Sequence, residues 1–222
     1  MSSEVKANKL SPATGVTTTL GDASDVFQLP ASAEIDIASG ATLDVNGTID
    51  VTGATVTGFG GGITDCSLWV LDTSFQGSAD PIASNLSEYS GNNYARIGSA
   101  MTESSGVFTF PSTGMWWIYA RGDWFLDSDS DRGDDIYITT TTDFSTGPTW
   151  VNTTLAKTSL FDSGGWTYGN ASGWYLFDVT DVAECKVRFK VYVTNSDTYT
   201  RRTIVPDGYI ETSFMFTRIG DT

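Results

Sequence analysis

The sequence predicts an all-β chain in two parts, and three observations predict it. Residues 35–57 repeat a short apolar–acidic–apolar triplet. From residue 63 onward, short runs of alternating apolar and polar residues recur between turn clusters. No long stretch places apolar residues at helical spacing, so period two is the only sustained signal. The expected architecture is an N-terminal extended segment and a trimeric β-repeat shaft, followed by a C-terminal antiparallel jelly-roll sandwich.

The first element is residues 1–30. Apart from Val5, Leu10, Val16, Leu20 and the short run Asp25–Pro30 it carries little apolar content, so it is read as a docking segment ordered by a partner. Residues 31–62 are the second element. Ile35-Asp36-Ile37, Leu43-Asp44-Val45 and Ile49-Asp50-Val51 are separated by Gly-bearing spacers, among them Asn46-Gly47, a strong tight-turn signal. A strand with two apolar side chains cannot build a core alone, so Ile35, Ile37, Leu43, Val45, Ile49 and Val51 are expected to meet their counterparts in other copies of the chain. Three chains winding together would also close exposed sheet edges. The run Gly58-Phe59-Gly60-Gly61-Gly62 reads as a hinge that ends the shaft.

The third element, residues 63–222, holds all seven Trp and every Tyr. Strands are expected over 66–71, 93–98, 107–110, 115–125, 135–141, 149–155, 173–178, 185–194 and 208–219. Many short strands separated by turn residues indicate an antiparallel sandwich or jelly roll. Trp116 and Trp117 are adjacent, so one strand must send them to opposite faces. Cys185 is placed on the inward face with Val187, Phe189, Val191 and Val193, and Cys66 with Leu68 and Val70. Two free, buried thiols are the expectation.

Composition removes several functions. The formal net charge is −15, so a basic nucleic-acid footprint is absent and acidic membrane surfaces are poor partners. The chain has no His, which removes the commonest general base and transition-metal ligand. Glu34, Glu88, Glu103, Glu184 and Glu211 are scattered, and no motif pairs two of them for glycoside hydrolysis. No enzyme activity is expected. Residues 1–20 lack the apolar core of an export signal, and no run approaches the ~20 apolar residues of a membrane helix, so assembly in a cytosol and no membrane insertion are expected.

Three polar or aromatic constellations carry candidate chemistry. Asp127, Asp129, Asp131 and Asp134 alternate as oxygen ligands for Ca²⁺ would, but Arg132 occupies the position where a calcium loop wants Gly, and Ile138 the position of its bidentate Glu. A Ca²⁺ site and a solvated turn between strands are both open, and the turn fits the departures better. No other cofactor is expected. Trp150, Trp166, Tyr168 and Trp174, with Tyr175, offer flat faces suited to sugar rings, against the alternative that they fill the core or a subunit seam. Arg121-Gly122-Asp123 and Arg132-Gly133-Asp134 spell an integrin tripeptide, a signal too short to carry adhesion.

Three segments of the third element also carry a resemblance. They are Gly106-Val-Phe108-Thr-Phe110-Pro111-Ser-Thr-Gly114-Met-Trp116, then Leu176-Phe177-Asp-Val179 with the run from Cys185 to Val193, and the ending Gly208-Tyr-Ile-Glu-Thr-Ser213-Phe214-Met-Phe216-Thr-Arg-Ile219. In order and spacing they resemble the globular head of the first complement component and the tumour-necrosis-factor-like jelly rolls, a head that bacteriophage fibre and decoration proteins also carry. Residues 3–15 and the repeat after them resemble the start of structural proteins from marine tailed phages. These resemblances imply a homotrimer located in the virion, with another virion protein bound through residues 1–30. The expected role is a short fibre of the tail-fibre, receptor-binding type, displaying its head to a host-surface glycan or protein. Head fibre or capsid decoration protein is the alternative placement, and a free lectin-like module the alternative class.

Overall fold

The structure is a computed structural model that describes residues 62–91, 93–204 and 209–222, together with Ile37, residues 41–43, Val45 and Asn46. The chain divides into two units, Met1–Val56 and Thr57–Thr222. In the first, Ile37, Leu43 and Val45 are exposed in the isolated chain and carry no strand pairing. The other expected shaft residues, Ile35, Ile49 and Val51, and the whole docking segment 1–30, lie outside the described residues.

The second unit is all-β. Among the described residues its strands are β1 (Asp65–Leu71), β2 (Phe75–Gln76), β3 (Leu86–Glu88), β4 (Thr102–Ser104), β5 (Val107–Thr109), β6 (Gly114–Asp127), β7 (Asp131–Thr141), β8 (Val151–Leu160), β9 (Trp166–Val179), β10 (Lys186–Val193), β11 (Tyr199–Thr200) and β12 (Ser213–Gly220), with one 3-10 turn at Phe144–Thr146. They form two antiparallel sheets. In the first, β6 lies between β9 on one side and β12 and β11 on the other, with β1 and β3 beyond β12 and β2 beyond β11. The second runs β4-β5-β10-β7-β8.

The pairing is nested. β1 pairs with β12, β5 with β10, β6 with β9 and β7 with β8, so the first long strand meets the last and the innermost pair is a hairpin. A hairpin of four nested pairs rolled onto itself is the jelly-roll arrangement.

The core follows from alternation. On β6, Trp116, Ile118, Ala120, Trp124 and Leu126 face inward. They meet Val187, Phe189, Val191 and Val193 of β10, Ile136 and Ile138 of β7, and Phe214 and Phe216 of β12. Phe189 and Phe214 stack with ring centroids 4.0 Å apart, and Phe108 lies edge-on to Trp69 at 5.1 Å. Rings of this size bury large apolar areas at few rotatable bonds, so they dominate the cohesion between the sheets. Trp116 is buried while Trp117 remains partly exposed, as the strand period requires.

Several expectations are corrected. Residues 93–98 form no strand: only Ile97 bridges, to Cys66, and the Tyr94 hydroxyl accepts from the Leu68 amide at 2.9 Å. The last strand starts at Ser213, not at residue 208, because the Thr212 carbonyl instead accepts from the Leu71 amide and Glu211 N–H donates to Thr203 Oγ1. β9 begins at Trp166, well before residue 173. Cys66 and Leu68 lie opposite Thr217 and Met215, on the outer face of the first sheet, because Ser67 pairs with the inward Phe216. Cys185 is buried in the core, and both cysteines are free.

Candidate binding face

The outer face of the first sheet is built by β9 and its neighbour β6. β9 alternates over fourteen residues, sending Trp166, Tyr168, Asn170, Ser172, Trp174 and Leu176 outward and Ala171, Phe177 and Val179 inward. The register sets Trp117 beside Leu176, Tyr119 beside Trp174, Arg121 beside Ser172, Asp123 beside Asn170, Phe125 beside Tyr168 and Asp127 beside Trp166. Two apolar zones result, separated by a polar waist.

The first zone comprises Trp117, Tyr119, Trp174 and Leu176, with Met215 of β12 paired to Tyr119. Trp174 is 61% and Leu176 40% exposed. Nothing among the described residues covers them. Contiguous exposed apolar surface of this kind marks an interaction site.

The second zone lies at the other end of the same strands. Trp166 and Tyr168 are 56% and 57% exposed. Phe125 stacks on Tyr199 at 4.9 Å and approaches Trp166 at 5.2 Å. Beside them sits a charge network. Arg201 reaches Asp123 at 3.3 Å and Glu211 at 2.6 Å, and Arg121 reaches the other Asp123 oxygen at 2.9 Å. The Arg201 guanidinium also lies over the Tyr168 ring, 4.8 Å from its centroid. Burial raises the Glu211 carboxyl above its usual range, and the positive charge of Arg201 opposes that shift. Two adjoining hollows of about 280 and 530 Å³ open here, both walled by Tyr168, Arg201 and Glu211.

Of the expected sugar-binding aromatics, the fold therefore brings Trp166 and Tyr168 together. Trp174 stands six residues further along β9, ~20 Å away by strand rise. Trp150 belongs elsewhere, packed between the Arg188 guanidinium, 4.4 Å from its centroid, and Phe144 at 6.3 Å. Tyr175 points to the core side, 6.1 Å from Phe177. Sequence reasoning missed Arg201, Arg121, Asp123 and Glu211 as a group, because they come from three separate segments, β6 and the stretches around residues 201 and 211, and only the fold joins them.

The expected Ca²⁺ ligands do not converge on one point. The Asp131 carboxylate is taken up by the Thr194 hydroxyl, the amides of Gly133, Thr194 and Asn195, and the Thr198 hydroxyl at 2.7 Å. Burial works to raise its pKa, but these donors prevail and hold it below the usual carboxylate value. Asp129 accepts from the Asn195 amide and Asp127 from Ser128. Asp134 is fully buried, and neither of its carboxylate oxygens accepts a hydrogen bond. Its pKa is pushed up to about 8, first by burial and then by the charge of Asp131. As an acid it can donate to Asp131; as a carboxylate it has no donor. Among the described residues no three acidic or Cys side chains gather closely enough to hold a metal ion. The two Arg-Gly-Asp triplets are also accounted for: Arg121 pairs with Asp123 within β6, and the second triplet ends in the buried Asp134.

No protein-family model matches the chain, and no curated protein sequence matches it. Among solved structures, the chain is similar to murine APRIL at pH 5.0, with 10% identity, a TM-score of 0.46 and coverage of 69% of this chain and 98% of that one. It is similar also to the Eiger TNF from S. frugiperda, with 13% identity, a TM-score of 0.48 and coverage of 72% and 95%.

Proposed function

We propose that this chain is a non-enzymatic virion protein of a tailed phage, a short homotrimeric fibre that displays a jelly-roll head for host-surface attachment. One observation carries the reading: the uncovered apolar zone of Trp117, Tyr119, Trp174, Leu176 and Met215. A free monomer that exposed these side chains would associate without limit, whereas a closed ring of copies buries them. The repeat triplets ask for the same solution, since Leu43 is 66% exposed in the isolated chain. Three heads on one shaft raise avidity through effective concentration even where each contact is weak. The residues resembling marine phage structural proteins support the virion as the particle. The absence of His and the pairing of the buried Asp123 and Glu211 with arginines favour display over catalysis.

Light scattering tests the assembly. The full chain is expected at three times its 23.8 kDa protomer mass. Trp174→Asp combined with Leu176→Asp is expected to lower that mass while leaving the β circular-dichroism spectrum unchanged. A folded wild-type monomer at micromolar concentration would refute the reading.

A further inference from the structure

From the second zone of the binding face we infer a site for an anionic pyranose sugar. Its walls are the rings of Trp166, Tyr168 and Phe125, and its charge comes from Arg121, Arg201 and Arg202. This inference supplies a ligand class to the attachment reading above and rests on that reading for its biological sense.

Three features support the assignment. The first is shape. The two adjoining hollows share Tyr168, Arg201 and Glu211; the smaller, of about 280 Å³, holds the Trp166 and Phe125 rings, and the larger, bounded by Tyr209 and Ile210, falls within the ~300–1,000 Å³ span of small-ligand pockets. The second is surface chemistry. Exposed rings that alternate along a rigid strand give a flat apolar floor for the C–H face of a sugar, at little cost in conformational freedom. The third is charge. The chain carries −15 overall, yet here three guanidinium groups gather against two carboxylates, Asp123 and Glu211. A neutral sugar would not require that inversion, and a cationic one would be repelled by it. Arg201 is fixed from both sides, by its two carboxylate partners and by the Tyr168 ring beneath it, so little side-chain freedom is lost on binding. The first apolar zone has no such charges, which separates a subunit contact from a ligand site on one continuous face.

The test titrates the full chain by calorimetry and ligand-observed NMR with four soluble probes. These are a galacturonate tetrasaccharide, its methyl ester, a sulfated chondroitin tetrasaccharide and neutral maltotetraose. Each sample is also weighed by light scattering. At least one anionic probe is expected to bind in the millimolar range, at least about tenfold more tightly than the ester or maltotetraose, and more weakly as salt rises. Which anionic probe binds better tells carboxylate from sulfate. Tyr168→Ala, Trp166→Ala and Arg202→Ala are each expected to weaken binding about tenfold or more without changing the mass. Arg201 is left intact because it neutralises two buried carboxylates. Equal binding of the neutral and anionic probes overturns the proposal. So does no binding of either anionic probe at 10 mM, or a lowered mass in the Tyr168 or Trp166 variant, which would make the hollow a subunit contact. A monomeric wild type that still binds the anionic probe defeats the trimer reading alone.

Discussion

Asp134 is the residue least at ease in this fold. It points from β7 into the end of the sandwich, on the same side as Ile136 and Ile138, with no donor for either oxygen. Charging a fully buried, unpartnered carboxyl is costly, so the folded chain favours the acid form. The sign follows by linkage. A folded pKa of about 8 above the ordinary 3.8 means that the contribution of Asp134 to stability is intact below about pH 4 and is lost as pH rises toward 8. Asp134→Asn keeps the shape and removes the charge. It is expected to raise Tm by at least about 3 °C at pH 8 and to leave Tm within about 1 °C of wild type at pH 4, read by thermal denaturation at both values. Asp131, the first residue of β7, behaves oppositely: its donors hold it charged. An identical residue type in one short sequence cluster thus takes two roles: both carboxyls are buried, and spacing does not show that only Asp131 meets the donors of residues 194–198.

At the scale of elements, most long strands were legible and most short ones were not, the three-residue β5 being legible from its alternation. β6 and β10 alternate over about eight residues, so period two locates them within a few residues. β2, β3, β4 and β11 span two or three residues each, too few to show any period; they exist because a neighbouring long strand offers backbone partners. β9 was half legible. Its first part, Trp166 to Ser172, contains Gly169, and Gly173 follows, which reads as loop. In the structure a Cβ at Gly169 would lie 2.8 Å from Leu160, and one at Gly173 2.6 Å from Thr154. The glycines let β8 approach β9 closely at the edge of the sandwich, where Thr154 Oγ1 donates to the Trp174 carbonyl at 2.9 Å. Gly173→Val is therefore expected to lower Tm by several degrees, whereas Gly165→Ala, which meets nothing, is expected to change it by less than about 1 °C. The same glycines hid the candidate site, since a segment read as loop gave no reason to set Trp166 and Tyr168 on one face with Phe125.

For the whole molecule, the proposed division of labour sets assembly on one apolar zone and the repeat, ligand capture on the other zone, and docking on residues 1–30. The last assignment is separable by deletion. A chain lacking residues 1–30 is expected to retain the trimer mass, since those residues add little apolar surface, and to stay in the supernatant when virus particles are pelleted. Co-sedimentation of the shortened chain at the wild-type level would remove the docking role. The fold class was readable from the alternation of apolar residues, and the trimer expectation came from the apolar poverty of each repeat. What the sequence could not disclose is the register, which alone tells which outward residues become neighbours.

The nested pairing also orders events during synthesis. Asp65 lies opposite Arg218, so β1 leaves the ribosome roughly 150 residues ahead of the strand that satisfies it. Until β12 emerges, β1 keeps an unpaired backbone edge and Trp69 and Leu71 lack their final cover. The nascent head is therefore open until its closing strand is made, and a chain cut short before Ser213 would keep sticky, unsealed flanks.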